Sequence, residues 1–223
     1  MAGWIFVVLV GLMLPASALK QFFKPRLGPN PDDPALRAKL VKQTILMMAF
    51  FGVLAIVVAD KERIRLFGPY VFREIDVLAG TVLFLTSFLM RAALLGWLAG
   101  DPRRKPSLIA PKSWAQFPLW IVVSASAGFW EEIIYRGALF HILVNLTNSI
   151  PFAFVFTSLA FASVHLRRGL RSGLFILVFA SAVQWLVAFT GTLYIAMVVH
   201  FVYDVLVGVT VILAEQRKSE ISE

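Results

Sequence analysis

The sequence contains no cysteine among its 223 residues. This absence excludes disulfide bonds, thiolate metal sites and cysteine nucleophiles. Charge is also scarce, since only 15% of the residues are Asp, Glu, Lys or Arg, whereas 59% are hydrophobic. A soluble domain would be about a quarter charged and about half apolar. We therefore expect a bilayer as the solvent, and the sequence predicts an all-α, polytopic transmembrane helical bundle.

The net charge of +8 does not indicate a nucleic-acid partner. The basic residues fall in short loops beside apolar segments, which is the pattern that sets membrane topology. The partner predicted from this distribution is the lipid bilayer, and no nucleic acid is expected.

Seven apolar segments predict transmembrane spans, because a helix of roughly 20 residues crosses the hydrocarbon core. The second and fifth are short for a span, and the fourth is long enough to bend or to add a surface helix. The segments are Trp4–Leu19, Thr44–Ala59, Val77–Ala99, Phe117–Leu146, Ile150–His165, Gly173–Thr190 and Leu193–Ala214.

The first segment has two interpretations. Ala16–Ala18 has the small-residue pattern of a signal-peptidase site after an apolar run. However, Met1–Gly3 lacks basic residues, whereas Lys20, Lys24 and Arg26 follow the run directly. This arrangement favours a retained span over cleavage of Met1–Ala18.

Lys and Arg residues predict the orientation of the spans. Fifteen of them lie in alternate connections and the tail: Lys20, Lys24, Arg26, Arg37, Lys39, Lys42, Arg103, Arg104, Lys105, Lys112, Arg167, Arg168, Arg171, Arg217 and Lys218. The opposite side holds four: Lys61, Arg63, Arg65 and Arg73. We expect the N-terminus outside and the C-terminus in the cytoplasm. The compact length and short loops indicate a prokaryotic plasma membrane.

The chain divides by content into three parts. Residues 1–116 contribute N-terminal transmembrane helices and basic cytoplasmic loops, including the breaker-rich stretch Gly28–Pro34. Residues 117–214 form a core that carries the chemistry, and residues 215–223 form a short polar tail.

Titratable residues recur at membrane depth in three places of this core. An ionised group there costs about 2.5–3.5 kcal/mol on insertion scales, so such residues are functional candidates. The three runs are Glu131-Glu132-Ile133-Ile134-Tyr135-Arg136, Phe161-Ala162-Ser163-Val164-His165 and His200-Phe201-Val202-Tyr203-Asp204.

Helical spacing sorts the first run. Glu132 and Arg136 are four residues apart and share a face, where the carboxylate can pair with the guanidinium. Glu131 is turned by about 100° from Glu132 and is therefore free to face another group.

The other two runs show the same spacing. His200 and Asp204 share a face, and Phe161 and His165 share another, which places an aromatic ring beside the imidazole. Each run alone has a structural explanation: an ion pair, a helix-capping histidine or a packed polar pair. Three such runs on successive helical regions favour one shared functional site.

These runs resemble the signature of the CAAX-protease and bacteriocin-processing family of intramembrane proteases, related to type II CAAX prenyl endopeptidases. The family pattern is Glu-Glu-x-x-x-Arg, then Phe-x-x-x-His, then His-x-x-x-Asn or Asp. It stands here as EEIIYR, FASVH and HFVYD. The resemblance covers roughly Leu119 to Leu213.

The resemblance implies hydrolysis of a peptide bond in a membrane-associated protein or peptide. Prenylated substrates are a property of the eukaryotic branch of the family. It implies that Glu131 activates water beside His165, and that His200 and Asp204 hold the developing oxyanion or a metal. Glu132, Arg136 and Phe161 would support them.

Position 204 is Asn in the eukaryotic branch of the family, and Asn can donate a hydrogen bond to an oxyanion. Ionised Asp only accepts, so either Asp204 is protonated or the site works differently. His165, His200 and Asp204 also make a two-His, one-carboxylate set that suits a divalent metal, zinc before others. The cofactor expectation is therefore none or one divalent metal.

Two other classes of function remain open on the sequence. A membrane scaffold or bacteriocin-immunity protein would keep the fold without catalysis, although it need not retain buried charge. A proton-coupled transporter also carries Glu and His in its spans, but it more often shows related halves or broken helices. The leading hypothesis is an intramembrane endopeptidase.

Overall fold

The structure is a computed structural model that describes residues 1–23, 33–67, 71–103 and 107–222. Within these residues the chain forms helices and loops and no strand, which confirms the predicted all-α class. The helices are α1 (Ala2–Phe22), α2 (Pro34–Lys61), α3 (Glu74–Ala93), α4 (Leu95–Ala99), α5 (Trp114–Thr147), α6 (Ile150–Val164), α7 (Leu170–Thr190) and α8 (Tyr194–Ser222). A separate 3-10 turn, Leu166–Arg168, joins α6 to α7.

Six of these helices are long and apolar enough to cross a membrane, and α6 is a shorter apolar helix. Each of the seven predicted segments is thus helical. The prediction that the second segment is short is wrong, since α2 spans 28 residues. Its polar first turns belong to the helix because the Asp33 side chain accepts hydrogen bonds from the backbone N–H groups of Ala35 and Leu36. That cap starts the helix well before the apolar run begins.

The third and fourth segments depart from straight helices. The segment predicted as Val77–Ala99 is interrupted at Leu94, where α3 gives way to the short α4. The long fourth segment is one 34-residue helix, α5, that contains a π-helical stretch over Ile133–Leu139. π-Helical insertions are uncommon and are frequent at functional sites. This one begins directly after Glu132, and all of its residues are buried.

Contacts between helix ends agree with the predicted alternation of the loops. At one end, the Arg103 guanidinium lies 5.1 Å from the Phe22 ring centre, and Arg171 donates to the Trp97 carbonyl oxygen. At the other end, the Gly3 backbone N–H donates to Glu62. The predicted loop residues Lys24, Arg26, Arg104 and Lys105, and most of the stretch from residue 28 to 34, lie outside the described residues.

Two glycines bring α5 and α8 into close contact. A Cβ atom at Gly128 would lie 2.9 Å from the Met197 carbonyl oxygen and from the Phe201 backbone nitrogen. A Cβ atom at Gly208 would overlap the Trp120 indole. This pair of helices carries Glu131, Glu132, His200 and Asp204, so the small residues fix the distance across which these side chains meet.

Candidate active site

Glu132 lies at the centre of a buried network of charged side chains. Its side chain is fully buried, and its Oε1 atom accepts a hydrogen bond of 3.0 Å from Arg136 Nη1. The same oxygen is 2.7 Å from His200 Nδ1. Because the carboxylate paired with Arg136 is an acceptor, His200 donates from Nδ1. Glu132 therefore fixes the orientation of the imidazole.

Arg136 connects this carboxylate to the neighbouring helices. Its Nη2 atom donates to the Ala180 carbonyl oxygen of α7 at 3.2 Å. Its guanidinium carbon lies 4.3 Å from the centre of the Phe161 ring of α6, which is within the range of a cation–π contact. The expected Glu132–Arg136 contact is thus present, and Phe161 supports it from the side.

His200 presents its second nitrogen to two further carboxylates. Nε2 lies 3.8 Å from Glu131 Oε2 and 3.7 Å from Asp204 Oδ2. Both distances are too long for a direct hydrogen bond. An oxygen atom bound between these groups could form hydrogen bonds with Nε2 and with the carboxyl groups. The rings of Phe161 and Phe179 flank the imidazole with centroid distances of 6.1 Å each. The expected proximity of His200 and Asp204 is present.

His165 ends α6 beside the same ring. Its Nδ1 atom is 2.9 Å from the Phe161 carbonyl oxygen, and its ring centre is 4.7 Å from that of Phe161. A carbonyl oxygen only accepts, so Nδ1 carries the proton and Nε2 keeps the lone pair in the neutral ring. The imidazole thus has a defined tautomer.

The four residues predicted to be catalytic, Glu131, His165, His200 and Asp204, line one cavity of about 70 Å³. Because a water molecule occupies roughly 30 Å³ in the liquid, this volume has room for more than one. Glu131 forms no hydrogen bond within the described residues, in contrast to its neighbour Glu132. A carboxylate without a hydrogen bond, 3.8 Å from His200 Nε2, and a hydrogen-bonded carboxylate are therefore adjacent in the chain.

A second cavity of about 210 Å³ also reaches Glu131. Its walls come mainly from α1 and α2, in addition to α5, and they are largely apolar. They are formed by Leu14, Ser17, Ala18, Gln21, Met47, Met48, Phe51, Glu131, Ile134, Tyr135, Val164 and Arg167. Glu131 and Met48 belong to both cavities.

The predicted metal ligands are not grouped as a metal site. Among the described residues, no three His, Asp or Glu side chains are arranged to hold an ion, so the set His165, His200 and Asp204 is not assembled in this conformation. His200 Nδ1 is committed to Glu132, and the surroundings of Nε2 are carboxylates at 3.7 and 3.8 Å. We therefore derive the chemistry below from the side chains alone.

Several residues of the site were not found by the analysis of the sequence. The Glu132–His200 bond joins residues 68 positions apart, and the spacing within one helix gives no signal for it. Trp120 donates from Nε1 to the Asp204 carbonyl oxygen at 2.8 Å, again between distant helices. Thr44 and Met48 come from the N-terminal part, where the sequence shows only hydropathy.

Comparison with known families gives one match. Residues 113–206 match the family model described as type II CAAX prenyl endopeptidase Rce1-like. The matched region runs from α5 into α8 and contains all three of the titratable runs. No curated protein and no solved structure matches the chain. The family resemblance is therefore confirmed over residues 113–206, and the chain is an integral membrane protein with an Rce1-like domain.

Proposed function

We propose that this chain, which carries an Rce1-like domain, is an intramembrane endopeptidase that hydrolyses a peptide bond with water activated by Glu131. The observation that supports this most directly is the shared cavity of Glu131, His165, His200 and Asp204. It combines a carboxylate that has no hydrogen bond within the described residues, two imidazoles and space for water inside an apolar bundle.

Glu131 acts as the general base and then as the general acid. Its carboxylate takes a proton from a water molecule whose oxygen attacks the carbonyl carbon of the scissile bond. The resulting tetrahedral intermediate carries the negative charge on the former carbonyl oxygen. Glu131 then gives the proton to the leaving nitrogen as the C–N bond breaks, which yields a carboxylic acid and an amine. His165 accepts a hydrogen bond from the attacking water at Nε2 and orients it.

His200 stabilises the oxyanion. In its imidazolium form it donates from Nδ1 to Glu132 and from Nε2 to the oxyanion, and the fixed ring needs no reorganisation during the reaction. The Asp204 carboxyl group lies 3.7 Å from Nε2, and it can give the oxyanion a second hydrogen bond only while it carries a proton. Glu132 and Arg136 keep the imidazole in place.

The second cavity supports an apolar substrate that enters from the bilayer. It lies beside Glu131 and is walled by aliphatic and aromatic side chains of α1 and α2. An isoprenyl group or an apolar transmembrane segment next to the scissile bond matches this lining. By the distribution of Lys and Arg, the N-terminus is outside and the C-terminus is cytoplasmic, so the His165 end of α6 opens toward the cytoplasm.

The experiment that tests this function replaces the chromosomal gene copy with Glu131→Gln and compares the termini of membrane proteins with those of the parent by mass spectrometry. The substitution keeps the size of the side chain and removes the base. We expect specific new termini to disappear. Glu74→Gln, the same change at an exposed position at the start of α3, is the matched control and should leave all termini in place.

Unchanged termini in cells that contain equal amounts of parent and Glu131→Gln protein would refute the catalytic function. That result would favour the non-catalytic alternative, a membrane scaffold or bacteriocin-immunity protein, because such a role needs the fold but not the base.

A further inference from the structure

Tyr135 carries a hydroxyl group that the rest of the described chain does not engage. The residue lies in the buried π-helical stretch Ile133–Leu139, and 4% of its surface is exposed. Within the described residues its hydroxyl forms no hydrogen bond. A buried tyrosine usually pairs this group, because a hydroxyl that has lost its water without a new partner is costly. The Tyr135 hydroxyl is therefore suited to a bound ligand.

The second cavity is the place where Tyr135 meets open space. Its wall includes Tyr135 together with Glu131. Among the described residues, the fully enclosed side-chain atoms without a hydrogen bond belong to other side chains, namely Arg37, Ser124, Glu132, Ser158 and Gln184. The Tyr135 hydroxyl thus keeps some accessible surface although its ring is buried.

The ring of Tyr135 is held in a fixed orientation. It packs edge to face on Phe161, with the ring centres 5.1 Å apart and the ring planes at 89°. The Phe161 ring is in turn held by the Arg136 guanidinium, 4.3 Å from its centre. The hydroxyl is therefore preorganised, so that a ligand bound to it does not have to order this side chain.

The chemistry of the cavity indicates which group the hydroxyl binds. A peptide bond that is to be hydrolysed must leave its helix, because helical hydrogen bonds would otherwise engage and shield it. The carbonyl groups of an unwound segment then need donors, and a largely apolar wall offers few. A tyrosine hydroxyl is such a donor. Glu131 and Tyr135 are four residues apart, about 6 Å along the helix axis, which corresponds to about two residues of an extended peptide.

We propose that Tyr135 is a substrate-binding residue whose hydroxyl donates a hydrogen bond to a backbone carbonyl oxygen within two residues of the scissile bond; this rests on the proposed function. The bond holds the unwound segment in register, so that the peptide bond to be cleaved lies at Glu131. The recognised group belongs to the peptide backbone, and this contact therefore selects an extended segment and no particular side chain.

The test combines Tyr135→Phe, which removes only the hydroxyl, with a change in the substrate backbone. The probe is a synthetic peptide that spans a cleavage site whose terminus depends on Glu131. In matched peptides, one amide within two residues of the scissile bond is replaced by an ester, whose carbonyl oxygen is a weaker acceptor. Each purified protein is reconstituted in phosphatidylcholine nanodiscs, and kcat/KM is measured for every peptide.

We expect Tyr135→Phe to lower kcat/KM for the all-amide peptide by about threefold to tenfold, as for one neutral hydrogen bond. At one position, the ester should lower kcat/KM of the wild type by a similar factor and leave Tyr135→Phe nearly unaffected, because the contact is already absent. Tyr194→Phe, the same change at the start of α8, should keep the wild-type ratio of amide to ester. The ratio compares two peptides on one protein sample, so it does not depend on how much of a variant is folded.

Equal kcat/KM of wild type and Tyr135→Phe on the all-amide peptide would overturn the proposal. Ester effects of the same size in both proteins at every position would also overturn it, and the hydroxyl would then hold a lipid or a water molecule. If no terminus depends on Glu131, the proposed function fails and this proposal fails with it. Cleavage that depends on Glu131 but shows no coupling to Tyr135 overturns this proposal alone.

Discussion

Asp101 offers a test of how the contact between its loop and the start of α7 holds the site together. Its buried carboxylate accepts one backbone hydrogen bond at each oxygen: from Arg103 at Oδ1, 2.8 Å away, and from Arg171 at Oδ2, 2.7 Å away. Arg171 lies in the first turn of α7, so Asp101 caps that helix from 70 residues away. The same helix supplies Ala180 to Arg136 and Phe179 to His200.

Asp101→Asn should destabilise the protein although Asn is an equally good cap in general. Asn has one oxygen, so one of the two N–H groups would face the amide NH₂ and lose its partner. An unpaired buried N–H costs about 1–3 kcal/mol, and because both hydrogen bonds are only partly buried we expect a loss of about 1 kcal/mol. For a chain of this length, 1 kcal/mol corresponds to a fall in Tm of about 2–4 °C. We expect a fall of roughly this size in thermal unfolding in detergent, followed by circular dichroism.

Asp33→Asn is the matched control. Asp33 caps α2 with Oδ1 alone, which accepts from both Ala35 and Leu36, so the Asn oxygen can replace it. We expect its Tm to stay near that of the wild type. An unchanged Tm for Asp101→Asn, or an equal fall for both variants, would refute the two-oxygen argument.

The loss at Asp101 should depend on pH in a defined direction. Burial raises the pKa of Asp101, but the backbone N–H groups of Arg171 and Arg103, together with their guanidinium charges, lower it further, so the net pKa is below its ordinary value. A lowered folded-state pKa contributes stability above the unfolded-state pKa, and that contribution is lost as the pH falls through the folded-state pKa. The difference in Tm between wild type and Asp101→Asn should therefore be full near neutral pH and shrink below about pH 4.

Two further predictions concern the catalytic cavity. Asp204→Asn should keep at least about a third of the wild-type peptide-cleavage rate, because the Asn amide can donate a hydrogen bond to an oxyanion. Asp204→Leu should lower the rate by more than about tenfold, as the loss of one oxyanion donor does. Equal inactivity of both variants would show that an ionised carboxylate is required. We expect equal and low zinc content in purified wild type and His165→Ala by mass spectrometry, because no three ligand side chains are grouped among the described residues. One zinc per wild-type chain, lost in His165→Ala, would restore the predicted ligand set.

Local spacing explains why parts of the site were predictable from the sequence. Residues four apart on a helix are neighbours whatever surrounds them, so the contacts of Glu132 with Arg136 and of His200 with Asp204 follow from the chain itself. Hydropathy likewise located every apolar helix, since it reports which residues face hydrocarbon. It does not report where a helix ends, and for that reason the capped, polar start of α2 was missed.

The contacts between helices were not predictable, because they depend on how each helix is rotated. Spacing alone cannot decide which of two adjacent glutamates faces His200; the structure places Glu132 on Nδ1 and Glu131 near Nε2. The link from Asp101 to Arg171 joins a loop to the first turn of α7, and no periodic pattern in the sequence indicates it. The walls of the second cavity come from α1 and α2, whose sequences carry no motif.

The two adjacent glutamates differ in their roles: we expect Glu132 to stabilise the fold and Glu131 to take part in the chemistry. Glu132 has two partners on one oxygen and lies in a network that reaches α6, α7 and α8. Its removal would leave the charge of the buried Arg136 without its carboxylate, a loss of about 3–5 kcal/mol for a buried pair. Glu131 makes no hydrogen bond within the described residues and faces both cavities. A neutral isostere at Glu131 therefore removes a proton acceptor and no hydrogen bond, since its contact with His200 Nε2 is 3.8 Å long. For this reason Glu131→Gln separates the catalytic hypothesis from the non-catalytic one, whereas the same change at Glu132 would confound activity with folding.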